Sequence, residues 1–410
     1  MHLTFHGGVS LPLRPEASRH TLQLDGVPMV LLPLGMEEET YELTVCEGES
    51  VLPGSTVAVL GDGTPVYSSI SGVVTGVFEK DGMHYAAVER GATPLSDSPV
   101  SVRPPEKMAL PDMSAEYLLD AIKVLGIHDV WSGDYLWRRL AKLVGKIRRV
   151  VIDTTDDSGW SFTGYRTALK YPGEVLGGAK ILLHLLGGSK VILAVDRSRP
   201  KVMDAFHALI NDPALLVLAP MDVKYPMREE TLYEAIYVRH LARDTTAEDD
   251  GVLFLKAQTA VFLYQSILSG IPHLNRILTV AGDGFGKNGV VTLPYGTPWR
   301  TVLETMQFKS GAYETKVNSL LNGEKAVGAM SGRAEAVFAS MPVHREEEHC
   351  ISCGKCAQAC PMKLQPHLIL GEKSYLSAKH LASVCIGCGC CEYICPSALR
   401  LPERIRRYQA

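Results

Sequence analysis

Cysteine is the residue type of this 410-residue chain that most directly suggests chemistry, because eight of its 10 cysteines fall into two copies of one spacing near the C-terminus. Each copy has the pattern C-x2-C-x2-C-x3-C-P, in which x is any residue. Three thiolates at this spacing hold three corners of a cubane iron–sulfur cluster, and the fourth cysteine, before the proline, reaches the other cluster. The eight cysteines are Cys350, Cys353, Cys356, Cys360, Cys385, Cys388, Cys391 and Cys395.

The repeated spacing predicts two 4Fe-4S clusters that exchange one ligand between the two copies. The expected ligands of one cluster, which we call the first cluster set, are Cys350, Cys353, Cys356 and Cys395. The expected ligands of the other, the second cluster set, are Cys385, Cys388, Cys391 and Cys360. Glycines beside these cysteines fit tight loops in which the backbone approaches sulfur. They are Gly354, Gly387 and Gly389.

Two other uses of clustered cysteines fit the spacing less well. A zinc site needs four ligands and does not require the C-x3-C-P ending. A disulfide framework needs an oxidising compartment, and the chain shows no secretory signal. Of the two remaining cysteines, Cys390 lies between predicted ligands and is expected to be a bystander that could substitute as a ligand. Cys46 lies far from the motifs and is expected to be a small buried hydrophobic residue.

Length and composition set wider limits on the protein. A chain of 410 residues is expected to form roughly two to four domains. The net charge of −4 gives no case for nucleic acid as a partner. Polar side chains interrupt the longest apolar stretch, residues 252–272, so no apolar run reaches the length that a membrane span needs. We therefore expect a cytoplasmic chain without direct membrane insertion, and peripheral docking to a membrane complex through a partner stays open.

The elements in front of the cysteine motifs begin with predicted β-structure in residues 1–105. Short apolar runs separated by turn residues occur at residues 29–32, 41–46, 56–60 and 73–78. Residues 47–58 followed by 69–74 resemble the barrel-sandwich of biotinyl and lipoyl carrier proteins, but residues 67–72 lack the lysine that carriers modify. The resemblance therefore indicates a structural or docking module, and proline-rich residues 99–111 are predicted to be a linker.

Residues 112–250 alternate between helix and strand patterns, which predicts an open parallel α/β (Rossmann-like) domain. Ser114 can cap a helix that runs to about Leu125, and Gly187 with Gly188 can end a helix that begins at Glu174. A further helix is expected at residues 200–210. The expected buried strands are residues 150–153, 191–195 and 215–219.

Residues 251–330 are predicted to form a smaller α+β module with a helix at 259–269. Its expected strands are residues 276–281 and 289–294. The glycine-rich residues 282–289 lie between these strands rather than before a helix, so a hairpin turn is favoured over nucleotide binding. Residues 330–345 are predicted to link this module to the cluster-bearing domain at 340–410.

The order of these parts resembles the RnfC family, the C component of the Rnf electron-transport complex. Residues 4–12 are similar to its TFxGGxxxP opening, and residues 259–260, 270–272 and 276–283 are similar to its GTA…GkPl…RvvTVtGd motifs. The resemblance implies a multidomain α/β fold. Its parts are an N-terminal β barrel-sandwich hybrid, a central α/β domain, a soluble-ligand-binding β-grasp (SLBB) module and a ferredoxin-like domain with two 4Fe-4S clusters.

In that family, as in the related flavoprotein subunit of respiratory complex I, the α/β domain binds FMN and accepts hydride from NADH. Three motifs of that flavin and nicotinamide site differ here. Residues 126–140 stand where the family has GxGGAGFP. Gly133 alone cannot form a glycine-rich cradle for a phosphate, and the side chains of Trp131, Tyr135 and Trp137 are expected to fill that space. Residues 153–160 replace NAxECEP, and residues 225–231 replace YPxGGEK without its two glycines. The changes predict that this site is no longer used and that FMN is not retained.

The motifs together predict an iron–sulfur electron-transfer subunit, which passes electrons between protein partners in a multi-subunit complex without its own flavin. No catalytic residue is assigned. Two alternatives remain: an FMN-dependent NADH oxidoreductase that feeds a partner reductase, and a non-redox scaffold stapled by the clusters. The flavin content of the purified protein would discriminate between the first two.

Several polar residues near these motifs have an ordinary structural explanation. His349 precedes Cys350 and is expected to be a solvated loop residue. Asp156 and Asp157 follow a predicted strand, and no role in catalysis is assigned to them. A basic tail beyond the cysteines is expected to be a solvated helix face, with steering of an acidic redox partner as the alternative. Its residues are Arg400, Arg404, Arg406 and Arg407, with Lys355 and Lys363 beside the cysteine loops.

Overall fold

The computed structural model describes most of the chain as a mixed α/β protein. Among the described residues, no helix is both long enough and apolar enough to cross a membrane. The described residues are 3–14, 17, 20–36, 39–80, 82–91, 97–210, 212, 214–238, 246–342, 345–370, 379 and 382–408.

The described part of the first 90 residues supplies eight strands, seven of which form two small antiparallel sheets. One sheet has the order β2-β8-β7-β4 and the other β3-β5-β6, while β1 joins a sheet formed later in the chain. Alternation of buried and more exposed side chains, as in β7, lets each sheet bury one face. The strands are β1 (Thr21–Gln23), β2 (Met29–Met36), β3 (Tyr41–Leu43), β4 (Ser50–Val51), β5 (Thr56–Leu60), β6 (Pro65–Tyr67), β7 (Gly72–Lys80) and β8 (Met83–Glu89).

A four-stranded parallel sheet forms the centre of the molecule, as the alternation of helix and strand patterns predicts. Its order is β11-β10-β9-β12, so the winding reverses between β9 and β12. Continuous apolar runs suit these strands because helices cover both faces of a parallel sheet. The strands are β9 (Arg149–Asp153), β10 (Lys190–Asp196), β11 (Leu216–Met221) and β12 (Val252–Lys256).

Two helices around this sheet have the end signals that the sequence indicates. Ser114 accepts a hydrogen bond from the backbone N–H of Tyr117 and caps α1. The helix α4 ends at Gly187, which has the left-handed conformation that favours glycine. Both predictions are confirmed. The helices are α1 (Ala115–Val124), α2 (Leu136–Leu140), α3 (Thr163–Lys170), α4 (Pro172–Leu186), α5 (Pro200–His207), α6 (Glu230–Tyr237) and α7 (Ala257–Ser269).

A five-stranded mixed sheet follows, with the order β1-β14-β13-β16-β15. β13 and β14 pair antiparallel, which confirms the hairpin predicted around residues 282–289. The strands are β13 (Asn275–Ala281), β14 (Gly289–Pro294), β15 (Glu314–Val317) and β16 (Ala336–Ser340), and α8 (Trp299–Thr305) lies between β14 and β15.

Two elements differ from the prediction for this part of the chain. β12 pairs parallel with β9, so the central sheet continues into the range predicted for the α+β module. β16 lies in the predicted linker but pairs with both β13 and β15. Both segments are short apolar runs, and such a run can pair in either sheet, because its partner is chosen by tertiary packing.

The elements named in the described part of the C-terminal segment are short and lie between loops. They are α9 (Lys355–Ala359), a 3-10 helix at Pro366–Leu370, α10 (Cys390–Tyr393) and α11 (Leu401–Arg406). Cysteines supply much of the small core here, with Cys356, Cys391 and Cys395 packed against Leu399 and Leu401. A segment with so little apolar core is expected to depend on its cysteine ligands for stability.

Candidate iron–sulfur site

Two cavities in the C-terminal segment bring the predicted cysteine ligands together. One is lined by the first cluster set, so that Cys395 of the second motif meets the three cysteines of the first motif. The other is lined by the second cluster set and by Cys390, so that Cys360 of the first motif meets the cysteines of the second. The structure therefore gathers the cysteines in the crosswise grouping that the spacing predicts.

Three glycines shape the loops that turn these cysteines inward. Gly354, Gly387 and Gly389 have φ angles of 71°, 66° and 82°, in the left-handed region that L side chains rarely adopt. Gly354 directly precedes α9 and Gly389 directly precedes α10. Each motif thus makes a tight loop followed by one helical turn, which carries its third cysteine back to the cavity.

The groups that face the cavities suit an iron–sulfur cluster. Thiols surround each space, and backbone N–H groups point at two of the sulfur atoms: Leu364 N lies 3.3 Å from Cys360 Sγ and Gly387 N lies 3.4 Å from Cys385 Sγ. Burial raises the pKa of both thiols, and these N–H groups act in the opposite direction by favouring the thiolate. Among the described residues, no three His, Cys, Asp or Glu side chains converge closely enough to hold a single metal ion.

The two cavities differ in their exposure to solvent. Cys350 and Cys353 of the first cluster set are exposed. In the second cluster set, Cys360, Cys388 and Cys391 are buried and only Cys385 is partly exposed. The first cavity therefore lies at the surface, while the second lies against the body of the protein.

An N-terminal segment forms part of the wall behind the second cavity. Gly8 N donates to the Ala359 carbonyl at 2.9 Å. A methyl group on Gly7 would lie 2.6 Å from the Cys360 carbonyl oxygen, and one on Gly8 would lie 2.7 Å from that of Tyr225. Both glycines have left-handed φ angles, at 67° and 77°. The glycine pair thus lets the backbone pass between the α/β body and a predicted cluster ligand.

Tyr225 joins the second cavity to two other parts of the chain. Its hydroxyl donates to the Cys388 carbonyl at 2.6 Å and lies 2.9 Å from both Ser319 Oγ and Asn322 Oδ1. The Asn322 amide in turn donates to the Gly387 carbonyl at 3.0 Å. Residues 387–388 are therefore fixed to the five-stranded sheet region and to the α/β body at once.

Three residues near the predicted ligands lie in surroundings that their sequence positions do not indicate. His349 is exposed, and its backbone carbonyl rather than its ring accepts a hydrogen bond, from Ser397 Oγ. His367, whose sequence position gives no local signal, places Nδ1 3.8 Å from Cys356 Sγ and lines the first cavity. Cys390 is fully buried beside the second cavity, with Sγ 4.0 Å from the Tyr225 carbonyl oxygen.

Cys46 departs from its prediction as a buried hydrophobic residue. It is exposed, in the loop between β3 and β4, where its backbone N–H donates to Glu49. The strand that would have buried it ends at Leu43.

The arginines beyond the cysteines are largely engaged within the chain. Arg404 contacts Glu347 at 2.5 Å and Arg407 contacts Glu403 at 2.9 Å. Arg345 donates to the backbone carbonyl of Cys395 at 2.6 Å. These contacts fasten α11 and the approach to the first motif onto each other, which favours the structural interpretation of the basic tail.

The carboxyl edge of the parallel sheet is the place where an α/β domain of this kind binds a ligand, at the point where the strand order reverses. Asp153 and Lys256 are the last residues of β9 and β12 and lie opposite each other in register. Lys256 Nζ contacts Asp153 Oδ2 at 2.6 Å, and both side chains are buried. The Trp131 ring covers this pair, with Lys256 Nζ 5.2 Å from its centroid. Protein side chains thus fill the crevice.

Further buried charged side chains pack beside the Lys256–Asp153 pair. Arg228 and Lys256 both contact Glu335, at 2.5 and 3.7 Å. Burial alone would lower the pKa of Lys256, but Asp153 and Glu335 outweigh it and raise the pKa. Asp157 accepts from Arg228 N at 3.1 Å, and burial raises its pKa to about 6. The cations here are matched to carboxylates of the chain itself.

Of the aromatic residues predicted to occupy the altered flavin loop, only Trp131 lies at this edge, where it stacks on Phe254. Tyr135 instead packs on His128, with ring centroids 4.2 Å apart. Trp137 donates from Nε1 to Thr64 Oγ1 in the N-terminal β-structure. Gly133 meets the backbone of Gly332. The prediction that Tyr135 and Trp137 also fill the flavin position is therefore wrong, because α2 directs them toward the N-terminal sheets.

Known proteins resemble this chain both locally and over most of its length. Residues 349–399 match the 4Fe-4S dicluster domain family. The C component of the ion-translocating oxidoreductase complex of Cronobacter sakazakii is 25% identical over 386 residues, which cover 88% of this chain and 49% of that protein. The C component of the Na(+)-translocating ferredoxin:NAD(+) oxidoreductase complex of Acetobacterium woodii is 26% identical over 391 residues, covering 89% of this chain and 86% of that protein.

The chain spans about half the length of several curated relatives that it matches. One of them is the C component of the ion-translocating oxidoreductase complex of Pseudomonas aeruginosa, of which the chain covers 49%. Among solved structures, the NAD+-reducing NiFe hydrogenase in the H2-reduced state aligns with a TM-score of 0.48 at 14% identity, over 74% of this chain and 63% of that one. The resemblance to the RnfC family that the motifs indicate is confirmed.

Proposed function

We propose that this chain is an iron–sulfur electron-transfer subunit that holds two 4Fe-4S clusters and no flavin of its own. The first cluster set would hold one cluster and the second cluster set the other. The observation that carries the proposal is the pair of cavities, each of which brings three cysteines of one motif together with the last cysteine of the other. This grouping is what two-cluster proteins with the same spacing use. Cys390 lines the second cavity as a fifth cysteine, outside the repeated spacing.

When bound, 4Fe-4S clusters supply one-electron redox chemistry at potentials that the surrounding protein sets. The chain contributes the thiolates, the N–H groups that stabilise negative charge on sulfur, and apolar walls that limit water. Leu399 and Leu401 line the first cavity, and Pro402 and Ile405 line the second. Cys391 of the second cluster set packs in one small core with cysteines of the first, so the two sites adjoin. Adjacent sites suit the passage of electrons along the chain.

The filled crevice supports the absence of flavin. A flavin phosphate needs a cradle of backbone N–H groups, usually glycine-rich so that the backbone can approach it. Here the buried Lys256–Asp153 pair and the Trp131 ring occupy the carboxyl edge, and both charges already have partners in the chain. The side chains present do not fit FMN.

Partner proteins form part of the proposal. The relatives carry names that describe them as subunits of oxidoreductase complexes. We infer that this chain also works within a multi-subunit complex and exchanges electrons with other proteins, with peripheral docking to a membrane assembly as its arrangement there. The second candidate, an FMN-dependent NADH oxidoreductase, is favoured only by the words ferredoxin:NAD(+) oxidoreductase in the name of one relative.

Metal and flavin analysis of a single sample tests the proposal. The chain is purified without oxygen, and iron, acid-labile sulfide and extractable flavin are measured per polypeptide. We expect about eight irons, about eight sulfides and no flavin, as two 4Fe-4S clusters require. About eight irons together with one flavin, and oxidation of NADH, would establish the second candidate instead. Iron well below about four per chain, the content of a single cluster, would overturn the electron-transfer proposal.

A further inference from the structure

We propose that His367 sets the reduction potential of the cluster held by the first cluster set, by donating a hydrogen bond from Nδ1 to the Cys356 thiolate. This inference rests on the proposed function, since it needs a cluster in the first cavity. His367 would be a positioning and tuning residue rather than a ligand.

The position of His367 follows from the short elements around the first cavity. Pro366 begins the 3-10 helix at Pro366–Leu370, and His367 is its second residue. This helix packs against α9, which carries Cys356, and against α11. His367 Nδ1 lies 3.8 Å from Cys356 Sγ, within the range of a sulfur hydrogen bond, and the ring is half-buried in the cavity wall. The imidazole therefore faces the predicted cluster from outside the cysteine loops.

The chemistry of the contact determines which way the proton lies. A thiolate bound to iron accepts hydrogen bonds and has no proton to donate, so a favourable contact requires the N–H on Nδ1. Reduction of a cluster adds negative charge, which spreads onto the cysteine sulfurs. A donor to sulfur therefore stabilises the reduced form more than the oxidised form and raises the reduction potential.

Backbone N–H groups act on cysteine sulfur at both sites, and the imidazole is an additional donor at the first. At Cys356 the backbone N–H groups are those of His367 and Ala357. The N–H contacts to Cys360 and Cys385 come from the backbone of Leu364 and Gly387. A side-chain imidazole at the first site thus makes the two sites chemically unequal. It also makes the contribution at the first site removable by substitution, which backbone donors do not allow.

Three variants test the inference in the full chain with both clusters present. His367→Leu removes the donor, His367→Asn keeps an N–H near the position of Nδ1, and His349→Leu is a matched control beside Cys350 whose exposed ring lines neither cavity. EPR-monitored redox titration measures the two potentials. We expect His367→Leu to lower the equilibrium constant for reduction of one cluster about tenfold, as loss of a charged hydrogen bond implies. This corresponds to about 59 mV for one electron.

The same titration gives the outcomes that decide the matter. His367→Asn should recover most of the shift, and His349→Leu should leave both potentials unchanged. Unchanged potentials in His367→Leu, equal shifts of both clusters, or an Asn variant identical to the Leu variant would each overturn the inference. Iron analysis of the same samples separates this failure from failure of the proposed function, which would appear as missing clusters in the unsubstituted chain.

A measurement on the unsubstituted protein covers the case in which His367→Leu fails to assemble its cluster. Protein labelled with nitrogen-15 only in the imidazole rings of histidine is reduced, and electron spin echo envelope modulation is recorded. The backbone nitrogens stay unlabelled because the His367 N–H also acts on Cys356. A hydrogen bond from His367 to a cluster thiolate predicts a coupling from one histidine nitrogen to the unpaired spin. No histidine coupling in protein that contains both clusters would overturn the inference.

Discussion

The second cysteine cavity and the carboxyl edge of the parallel sheet lie close together but differ in how they are filled. Met362 and Ile386, which flank cysteines of the second cluster set, pack against the core that contains Trp131 and Tyr233. On one side of this contact, thiols surround a cavity. On the other side, Lys256 meets Asp153 in the middle of the crevice and aromatic rings cover the pair.

The comparison shows how a binding site differs from a structural core. In a binding site, side chains that can bind a ligand lack partners within the protein, and in a core each polar side chain has one. Each cavity is lined by at least four cysteines, which is an arrangement that a bound metal centre stabilises. At the crevice, Lys256 and Arg228 already contact carboxylates of the chain. We infer that the crevice contributes stability and the cavities contribute chemistry.

The largest expected effect is loss of a whole cluster, and it tests whether the ligands are shared crosswise. Cys395→Ala should reduce iron from about eight to about four per chain. Adding Cys350→Ala should cause no further loss, because both residues belong to the first cluster set. Adding Cys385→Ala to Cys395→Ala should remove both clusters, since the two residues belong to different sets although they lie in the same motif.

Iron analysis of these variants, made without oxygen, distinguishes the two ligand arrangements. If the ligands were grouped within each motif, Cys385→Ala with Cys395→Ala would still leave about four irons. Cys390→Ala is the matched control. It removes a buried cysteine next to Cys391 that lies outside both sets, and it should retain about eight irons.

The next effect concerns the stability of the filled crevice. Lys256→Met leaves Asp153 buried without its cation, which should lower the free energy of unfolding by about 3–5 kcal/mol. Urea denaturation without oxygen measures the change. Combining it with Asp153→Leu should recover much of the loss, because two apolar side chains need no counter-charge. Lys201→Met replaces an exposed lysine of α5 and should change stability by less than about 0.5 kcal/mol.

The double variant also sharpens the comparison, because recovered stability would not by itself restore a flavin site. We expect it to bind no FMN, because Trp131 and the altered loop remain. Stoichiometric FMN in Lys256→Met with Asp153→Leu would show that the ion pair alone had closed the crevice.

Asp157 should give a pH-dependent effect of about 3 kcal/mol at most. Its pKa is about 6 in the folded protein and 3.8 when unperturbed, so the folded state binds more protons between these values. The free energy of unfolding therefore falls as the pH rises from 3.8 through about 6. The loss reaches about 3 kcal/mol once Asp157 is ionised in both the folded and the unfolded state. Asp157→Asn should raise the urea midpoint at pH 8 and change it little at pH 4.

The neighbouring carboxylate is the matched control for that substitution. Asp156 accepts hydrogen bonds from the backbone N–H groups of Gly164 and Tyr165 at the start of α3 and contacts Arg199 at 3.0 Å. Asp156→Asn should lower the urea midpoint at pH 8. If both variants shifted the urea midpoint at pH 8 in the same direction, the two carboxylates would not have the opposite effects on stability that we expect.

The smallest effect is expected where the N-terminal segment meets the second cavity. Gly7→Ala places a methyl group against the Cys360 carbonyl in a left-handed conformation, which should cost about 1–2 kcal/mol from the backbone alone. Because Cys360 belongs to the second cluster set, that cluster should be lost faster on exposure to a chelator, while the first is unaffected. Gly26→Ala is the control, since Gly26 also has a positive φ but no described atom near its added methyl group.

Sequence patterns predict the features that depend on local spacing. The glycine at the end of α4, the Ser114 cap and the crosswise grouping of cysteines all follow from residues a few positions apart or from a repeated motif. The position of Trp131 at the carboxyl edge of the parallel sheet agrees with the altered loop. Its actual partners, Lys256 and Phe254, do not follow from local spacing, because they arrive from a strand on the order of 100 residues away, and only tertiary packing chooses such partners.

Features set by long-range pairing could not be predicted from the sequence. β16 falls in the predicted linker because Ala336–Ser340 is too short an apolar run to identify its partners. His367 escapes prediction for a related reason: it reaches Cys356 across an irregular segment, so no spacing rule connects them. His349, adjacent in sequence to a cysteine, has an exposed ring outside both cavities.

The glycine pair at the N-terminus has a consequence for how the protein is made. Gly7 and Gly8 are synthesised about 350 residues before their contacts at Ala359 and Cys360. At roughly 5–20 residues per second, that delay is on the order of tens of seconds. The segment can pair with Tyr225 of the α/β body first, and it meets the motif that carries Cys360 only later. This second docking should coincide with metal insertion, and maturation of the clusters would then be the event that closes the chain on itself.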